Sequence, residues 1–181
     1  MAQWTLDPAH SEIKFKMKHL VISTVTGQFK RFSGTVEAQK PDFSDAHVTF
    51  EADIDSISTN NEQRDGHLKS PDFFDAAGFP KLSFESTSIK RKSNEVYVMA
   101  GDMTIRGTKR KIALDVRYNG TVKGFDGDVA GFEITGKLNR QEFGLRWNAM
   151  TETGGVVVSD EVRLDIAVEL TMAVVEEPVA S

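Results

Sequence analysis

The strongest constraint on this 181-residue chain is an alternation of apolar and polar side chains with a period of two. In the segment from Ser11 to His19, the apolar residues Ile13, Phe15 and Met17 alternate with charged ones. The segment from Glu161 to Leu170 places five aliphatic residues on one face and mostly charged residues on the other. Because successive side chains of a β-strand point to opposite faces, both segments are predicted to be strands with one buried face.

The same pattern recurs along the chain and predicts an all-β protein of eight or nine strands. Further strands are predicted at Gln3–Asp7, Gln28–Ala38, Val48–Ile54, Lys81–Ile89, Glu95–Ile105, Ile112–Tyr118 and Phe132–Leu138. Turn sequences such as Arg106-Gly107 and Asn119-Gly120 separate several of these segments, and Val21–Thr26 is interpreted as a short loop or turn. Short connections make antiparallel pairing the simplest arrangement.

Strands of this kind without an internal repeat fit either a β-sandwich or a closed barrel. Composition does not separate the two, but strand length favours the barrel. Several segments of about ten residues would extend about 33 Å, which is longer than the commonest strands. Internal glycines such as Gly34, Gly101 and Gly136 suit strands that bend around a barrel. A barrel of about eight strands can hold a small ligand.

The segment Thr59–Phe84, called the flap below, is too long for a hairpin turn and too apolar for a solvated loop. Its first part, Asn60–Lys69, is predicted to be a short helix that Asn60 or Asn61 caps and that ends before Pro71. A connection of this length in a compact domain usually serves a function. Because the rest of the flap is rich in phenylalanine, we expect it to cover an opening of the barrel.

A lid implies an apolar cavity beneath it, and the alternative is a core that is fully packed. The residues predicted to line the cavity or to cover its mouth are Phe15, Met17, Phe50, Phe73, Phe74, Phe79, Phe84, Ile105, Leu114, Ile134 and Trp147. His19 ends the inward row of its strand and is expected near the barrel rim. Arg64 and His67 are three residues apart on the predicted helix and can face the same way. These three polar residues are expected either to orient a ligand head group or to pin the flap to the barrel.

The evidence for catalysis is weak. Asp65, Asp72 and Asp75 lie near His67 and offer acid–base groups, but helix capping and flap anchoring are the favoured roles for these carboxylates. The sequence has no nucleophile elbow, phosphate-binding loop or helical zinc motif. We therefore expect no catalytic residues, no metal site and no required cofactor.

Composition limits the chemistry and the kinds of partner expected for this chain. The chain has no cysteine, which excludes disulfides and thiol chemistry, and its net charge of −5 argues against a general nucleic-acid binder. No apolar run approaches the length of a membrane span. The N-terminus shows no signal sequence, so a cytoplasmic protein is expected, or a periplasmic one if a signal has been removed.

Several segments together resemble the YceI family. They are WTLDPAHSEIKFKMKHLVISTVTGQF at the N-terminus, STNNEQRDGHLKSPDFFDAAGFPKLSFES in the flap, GDMTIRGTKRKIAL, NRQEFGL and the closing VSDEVRLDIAVEL. The resemblance covers nearly the whole chain in the family's order. It implies an extended, eight-stranded antiparallel barrel that is lipocalin-like in shape and encloses a long apolar tunnel. It also implies binding of an amphiphilic lipid, such as a polyisoprenoid or an isoprenoid quinone, and a homodimer.

The resulting expectation is a single lipid-binding domain over residues 1–173 with a flexible acidic tail over residues 174–181. The protein would sequester or carry its lipid in the tunnel. Two alternatives stay open at this stage. One is an enzyme that acts on a lipid or quinone through His67 and nearby carboxylates, and the other is a structural or stress-protective barrel without a ligand.

Overall fold

A computed structural model describes residues 2–149 and 157–172 of the chain. This part contains eleven strands and one α-helix. The strands are β1 (Ala2–Leu6), β2 (Glu12–His19), β3 (Ser23–Phe29), β4 (Phe32–Ala38), β5 (His47–Asp53), β6 (Ile57–Ser58), β7 (Lys81–Arg91), β8 (Val96–Ile105), β9 (Thr108–Gly124), β10 (Gly127–Asn139) and β11 (Glu161–Met172). The helix α1 spans Glu62–Lys69, and short 3₁₀ turns lie at Pro8–His10, Ile54–Ser56 and Arg140–Phe143. The predicted tail, residues 174–181, lies outside the described residues.

The strands form one antiparallel sheet that closes on itself as an eight-stranded barrel. Hydrogen bonding runs in the order β1-β4-β5-β7-β8-β9-β10-β11, and β11 returns to β1. β11 pairs with β1 through its last residues, Leu170–Met172, and with β2 through Arg163–Ala167. β1 and β2 therefore form one broken strand of the barrel wall. β4 pairs with β1 and β3 pairs with β2, so β4 and β3 together occupy the next position in the wall. The predicted all-β antiparallel barrel is confirmed.

The helix occurs where the sequence predicts it, for the predicted reason. The Asn61 side chain accepts a hydrogen bond of 3.0 Å from the Arg64 amide, which satisfies one of the free N–H groups at the helix start. The helix stops at Lys69, two residues before Pro71. Proline disfavours helical geometry in the residue that precedes it, so the chain leaves the helix here.

Two sequence predictions about turns are wrong. The predicted loop Val21–Thr26 becomes strand from Ser23 onward, because it pairs with β2 as the second arm of a hairpin. Asn119-Gly120 lies inside β9 and not in a turn. Gly131 pairs with Gly120 and Phe132 with Tyr118, which leaves Asn119 as the extra residue of a β-bulge. The chain reverses instead at Phe125 and Asp126.

The inward faces of the strands form the core. Alternate side chains of β7, β8, β9 and β10 point into the barrel, as the period-two pattern predicts. We call the two ends of the barrel the flap end and the plug end. The flap end carries α1, the β8–β9 turn and the Arg140 turn, and the plug end carries the loop of residues 39–46 between β4 and β5.

Candidate functional site

An apolar cavity extends along the inside of the barrel from the plug end to the flap end. Its volume is about 180 Å³, and Phe43 and Tyr97 border one end while Phe73 and Leu145 border the other. Along β8 its lining runs from Tyr97 to Ile105. That stretch is about 26 Å along the strand and about 20 Å along the axis of a barrel with ordinary strand tilt. The cavity is therefore long and narrow.

Nearly all of the lining is hydrocarbon, contributed by inward-facing side chains from every long strand. Polar residues among those that border the cavity are few, namely Thr35, Thr49, Tyr97 and Arg140. Three methionines, Met17, Met99 and Met103, are among the rest. Methionine side chains rotate easily and adapt to irregular apolar shapes, so this lining can adjust to the cross-section of an apolar ligand.

Most of the residues that the sequence analysis placed in an apolar tunnel do line this cavity. They are Phe15, Met17, Phe50, Phe73, Phe74, Phe84, Ile105, Leu114 and Ile134. Phe79 and Trp147 are not among the lining residues. Phe79 lies over the Arg106-Gly107 turn, where a Cβ added to Gly107 would lie 2.8 Å from its ring. The flap thus supplies Phe73 and Phe74 to the cavity and uses Phe79 to fasten itself to the barrel rim.

The flap end is closed by an aromatic group at the end of α1. The His67 ring meets Trp147 edge-on at a centroid distance of 4.5 Å and Phe73 at 5.1 Å. The imidazole Nε2 of His67 lies 2.9 Å from a carboxylate oxygen of Asp72. The carbonyl of Phe73 accepts a hydrogen bond of 2.8 Å from Arg106 on the β8–β9 turn. These contacts tie the flap to two neighbouring segments of the barrel.

Arg64 and Asp65 hold the start of the flap through the buried residue Thr59. The Arg64 guanidinium donates to the Thr59 hydroxyl at 2.7 Å and to the Thr59 carbonyl at 2.8 Å. One carboxylate oxygen of Asp65 accepts from the Thr59 amide at 2.8 Å and from its hydroxyl at 2.6 Å. Neither Arg64, His67 nor His19 lines the cavity. In this structure Arg64 and His67 therefore make the contacts of flap anchors, and His19 lies exposed at the end of β2.

The buried cation of the site is Arg140, which the sequence analysis missed. The residue is 1% exposed and borders the cavity. The guanidinium donates to the carbonyls of Leu145 at 2.6 Å, Trp147 at 2.8 Å and Ser159 at 2.8 Å. A fourth bond of 3.3 Å reaches the Val158 carbonyl.

These bonds make Arg140 a clamp between two segments of the flap end. Burial lowers the pKa of Arg140 below its ordinary value, and Asp160, 3.6 Å away, acts in the opposite direction. The donors of Arg140 are directed at backbone carbonyls, so its role in this structure is to join residues 145–147 to residues 158–160. The sequence contains one signal, the Asn-Arg-Gln-Glu-Phe-Gly-Leu segment that contributes to the resemblance to the YceI family, but it does not indicate that this arginine is buried.

The plug end is closed by Phe43, a second feature that the sequence analysis missed. Its ring packs at 4.9 Å from Phe132, 5.2 Å from Trp4 and 5.3 Å from Tyr118. The Tyr97 hydroxyl donates to the carbonyl of Asp42, the residue before Phe43, at 2.7 Å. This end is therefore sealed by a packed aromatic cluster, which the Tyr97–Asp42 hydrogen bond holds in place.

The Asp42 side chain adds two polar ties to this loop. The Ser44 amide, with help from Arg91, holds the pKa of the Asp42 carboxyl below its ordinary value. Arg91 also forms an ion pair of 2.8 Å with that carboxylate. The loop is thus fixed to β7 as well as to the aromatic cluster.

Within residues 2–149 and 157–172, the one group with metal-ligand composition is Asp7, His10 and Glu169. It lies on the outer surface, where His10 is paired with Asp7 at 2.7 Å and with Glu169 at 3.9 Å. No helix in that same part of the chain is long and apolar enough to cross a membrane.

Comparison with known proteins identifies the fold and the family of this chain. A model of the YceI-like domain matches residues 4–170. A UPF0312 protein of Staphylococcus aureus strain N315 is 38% identical over 175 residues, which cover 96% of this chain and 99% of that protein.

Solved structures agree with this match. The YceI protein of Campylobacter jejuni has a TM-score of 0.74 and is 34% identical, with 87% of this chain and 90% of that chain covered. BcnA of Burkholderia cenocepacia has a TM-score of 0.77 at 21% identity and covers 91% of this chain and 98% of its own.

A polyisoprenoid binding domain from Saccharophagus degradans shares the fold, with a TM-score of 0.65 at 14% identity and coverage of 94% of this chain and 98% of that chain. The domain match, the Staphylococcus relative and the closed barrel lead to one conclusion: this chain belongs to the family of YceI-like domains.

Proposed function

We propose that this protein binds a long-chain amphiphilic lipid, of the polyisoprenoid or isoprenoid-quinone type, inside its barrel. The observation that carries the proposal is the hydrocarbon-lined cavity between Phe43 and Leu145. The name of the Saccharophagus domain, which shares this fold, supports the choice of ligand class.

The dimensions of the cavity favour a slender chain. A volume of about 180 Å³ is below the range of ordinary ligand pockets, about 300–1,000 Å³. A bulky ligand would need the wall to move, whereas a thin alkyl or isoprenoid chain needs rotation of side chains such as Met99 and Met103. Each buried methylene contributes about 0.8 kcal/mol, so affinity would rise with the length of chain enclosed.

The flap end is the proposed entrance. The plug end is sealed by aromatic packing around Phe43, while the flap is also joined to the barrel rim by hydrogen bonds such as that from Arg106 to the Phe73 carbonyl. Hydrogen bonds of this kind can be exchanged for bonds to water when the flap opens. In this proposal Arg64 and His67 position the flap, and Phe73 and Phe74 touch the ligand.

The enzyme alternative gains no specific support from the site. His67 lies outside the cavity lining, and one carboxylate oxygen of Asp65 already accepts two hydrogen bonds from Thr59. We therefore propose a binding protein. Lipid transport, a homodimer and a cytoplasmic location stay predictions.

The proposal is tested by extracting the purified protein with organic solvent and identifying released lipid by mass spectrometry. Ile134 faces the cavity, and its neighbour Thr135 faces the solvent on the same strand. Ile134→Trp fills the cavity, so the lipid recovered per protein should fall strongly, whereas Thr135→Trp adds the same side chain outside and should leave it unchanged. A wild-type protein without co-purified lipid, or equal yields from the two variants, contradicts the proposal.

A further inference from the structure

The β2–β3 hairpin ends in three consecutive aliphatic residues that project into solvent. We call Leu20, Val21 and Ile22 the hairpin tip, and their side chains are 38%, 74% and 86% exposed. In the described part of the chain, the other clearly exposed large apolar residues are Phe79, Val122 and Phe125. A run of three at one tip is therefore unusual for this surface.

The backbone conformation of the tip does not suit the aliphatic residues that occupy it. Leu20 and Val21 have positive φ angles of 53° and 66°. Glycine or asparagine would fit this left-handed conformation better, and a β-branched residue such as valine is a clear outlier in it. Backbone strain of this kind concentrates at functional positions. The tip thus carries apolar side chains in a backbone conformation that favours glycine or asparagine.

The tip stands beside the flap end of the cavity. The Leu20 amide donates to the Val157 carbonyl at 2.9 Å, and His19 forms a β-bridge with Val158. The Val158 carbonyl also accepts from Arg140, whose side chain borders the cavity. A short chain of contacts therefore links the tip to the cavity.

The hairpin that carries the tip is cationic, although the whole chain has a net charge of −5. No acidic residue occurs between Glu12 and Glu37. That interval contains Lys14, Lys16 and Lys18 on β2, and Lys30 and Arg31 just after β3, at the end of the hairpin opposite the tip. Some of these cations face carboxylates in exposed pairs, which are weak interactions. Lys18, next to the tip, donates instead to the Thr24 hydroxyl at 3.3 Å.

We propose that the hairpin tip docks the protein on an anionic lipid bilayer, with its aliphatic side chains inserted among the acyl chains and Lys18 near the head groups. Three side chains are too few for a stable protein–protein interface, which needs about 800 Å² from each partner. A few inserted apolar residues next to basic ones suffice for reversible binding at a membrane surface. Docking would bring the flap end to the bilayer. The purpose of docking rests on the proposed function, but vesicle binding is measured independently of the lipid held in the barrel.

The test is sedimentation of the full chain with phosphatidylglycerol–phosphatidylcholine vesicles and with phosphatidylcholine vesicles. The wild type should bind the anionic vesicles more tightly, and less so at high salt because counterions screen the attraction. Val21→Asn removes an inserted side chain and suits the positive φ, so vesicle affinity should fall about tenfold while thermal stability is kept or raised. Lys18→Gln should reduce the preference for anionic vesicles.

Phe125→Ser is the matched control, because Phe125 is a fully exposed apolar residue on another hairpin, β9–β10. Its vesicle affinity should equal that of the wild type. The inference is overturned if the wild type does not bind vesicles, if Val21→Asn binds as well as the wild type, or if Phe125→Ser loses binding. Lipid extracted from the same proteins separates the two proposals. If the protein yields lipid but does not bind vesicles, only the docking proposal is refuted. If it binds vesicles but yields no lipid, only the proposal of a lipid bound in the barrel is refuted.

Discussion

Replacing Arg140 by methionine should destabilise the protein more than any other exchange of a charged residue in the site. The guanidinium makes four hydrogen bonds to backbone carbonyls at 1% exposure. A hydrogen bond to a charged group is worth about 1.5–3 kcal/mol. Four such bonds give an upper bound of about 6–12 kcal/mol. The apolar burial of methionine and water entry to the freed carbonyls offset part of this.

The expected net loss is about 3–5 kcal/mol of unfolding free energy, because a buried carbonyl that loses its donor costs about 1–3 kcal/mol and water can reach some of the four. For a chain of this size it corresponds to a fall in melting temperature of about 10 °C. Arg140→Lys should lie between the wild type and Arg140→Met, because a lysine ammonium has three donors and lacks the planar fork that reaches carbonyls on both segments.

The assay is urea unfolding followed by circular dichroism and tryptophan fluorescence. All proteins are delipidated first, because a ligand that binds the native state adds to its stability. Arg146→Met is the matched control, since Arg146 is exposed in the same loop and its loss should change stability by less than about 0.5 kcal/mol. A loss below about 1 kcal/mol for Arg140→Met, or an equal loss for Arg146→Met, would refute the clamp role.

Three further predictions follow from other contacts. Phe43→Ala should cost about 3–5 kcal/mol in urea unfolding, because it leaves a hole in a packed aromatic cluster, and a loss under about 1 kcal/mol would show that the plug is not packed. Asp65→Asn should weaken the hold on Thr59 by about 1–2 kcal/mol, seen as faster amide hydrogen exchange in α1, and unchanged exchange would contradict the anchor role. The Asp7 carboxylate raises the pKa of His10 from its ordinary 6.5, so this pair stabilises the fold below that pH and the benefit is lost as pH rises through the raised pKa. His10→Gln should therefore lower the melting temperature at about pH 5.5 and have little effect at about pH 8.5, and an equal effect at both would exclude the pair as the cause.

The strands and the helix could be predicted because their signals are local. The alternation around Phe15 places its side chain inside the barrel, and β11 follows the same rule. The helix start at Asn61 is predicted from residue type and position. In both cases the physical determinant, side-chain direction or a free N–H group, depends on neighbouring residues only.

The turn predicted at Asn119-Gly120 is wrong because the same dipeptide can form either a tight turn or a β-bulge. Asn119-Gly120 suits a tight turn because glycine accepts a positive φ, but Gly120 uses that freedom, at φ 114°, inside a β-bulge. The difference depends on the partner strand β10, which does not bulge. A local sequence cannot specify which partner a strand will have.

The two missed residues of the site depend on contacts between distant segments. Phe43 lies in a short loop that resembles any polar turn, and it becomes a plug because Trp4 and Phe132 meet it from other strands. Arg140 is of a type that is almost always exposed. Its burial follows from four carbonyls that converge only in the folded chain.

The central claim is that the cavity between Phe43 and Phe73 holds a long lipid chain. A crystal structure of the protein as purified, without delipidation, tests it most directly. The account predicts continuous, elongated density along the barrel axis that contacts Met99, Met103 and Phe74. A well-ordered barrel whose cavity is filled by its own repacked side chains, with no such density, would contradict it.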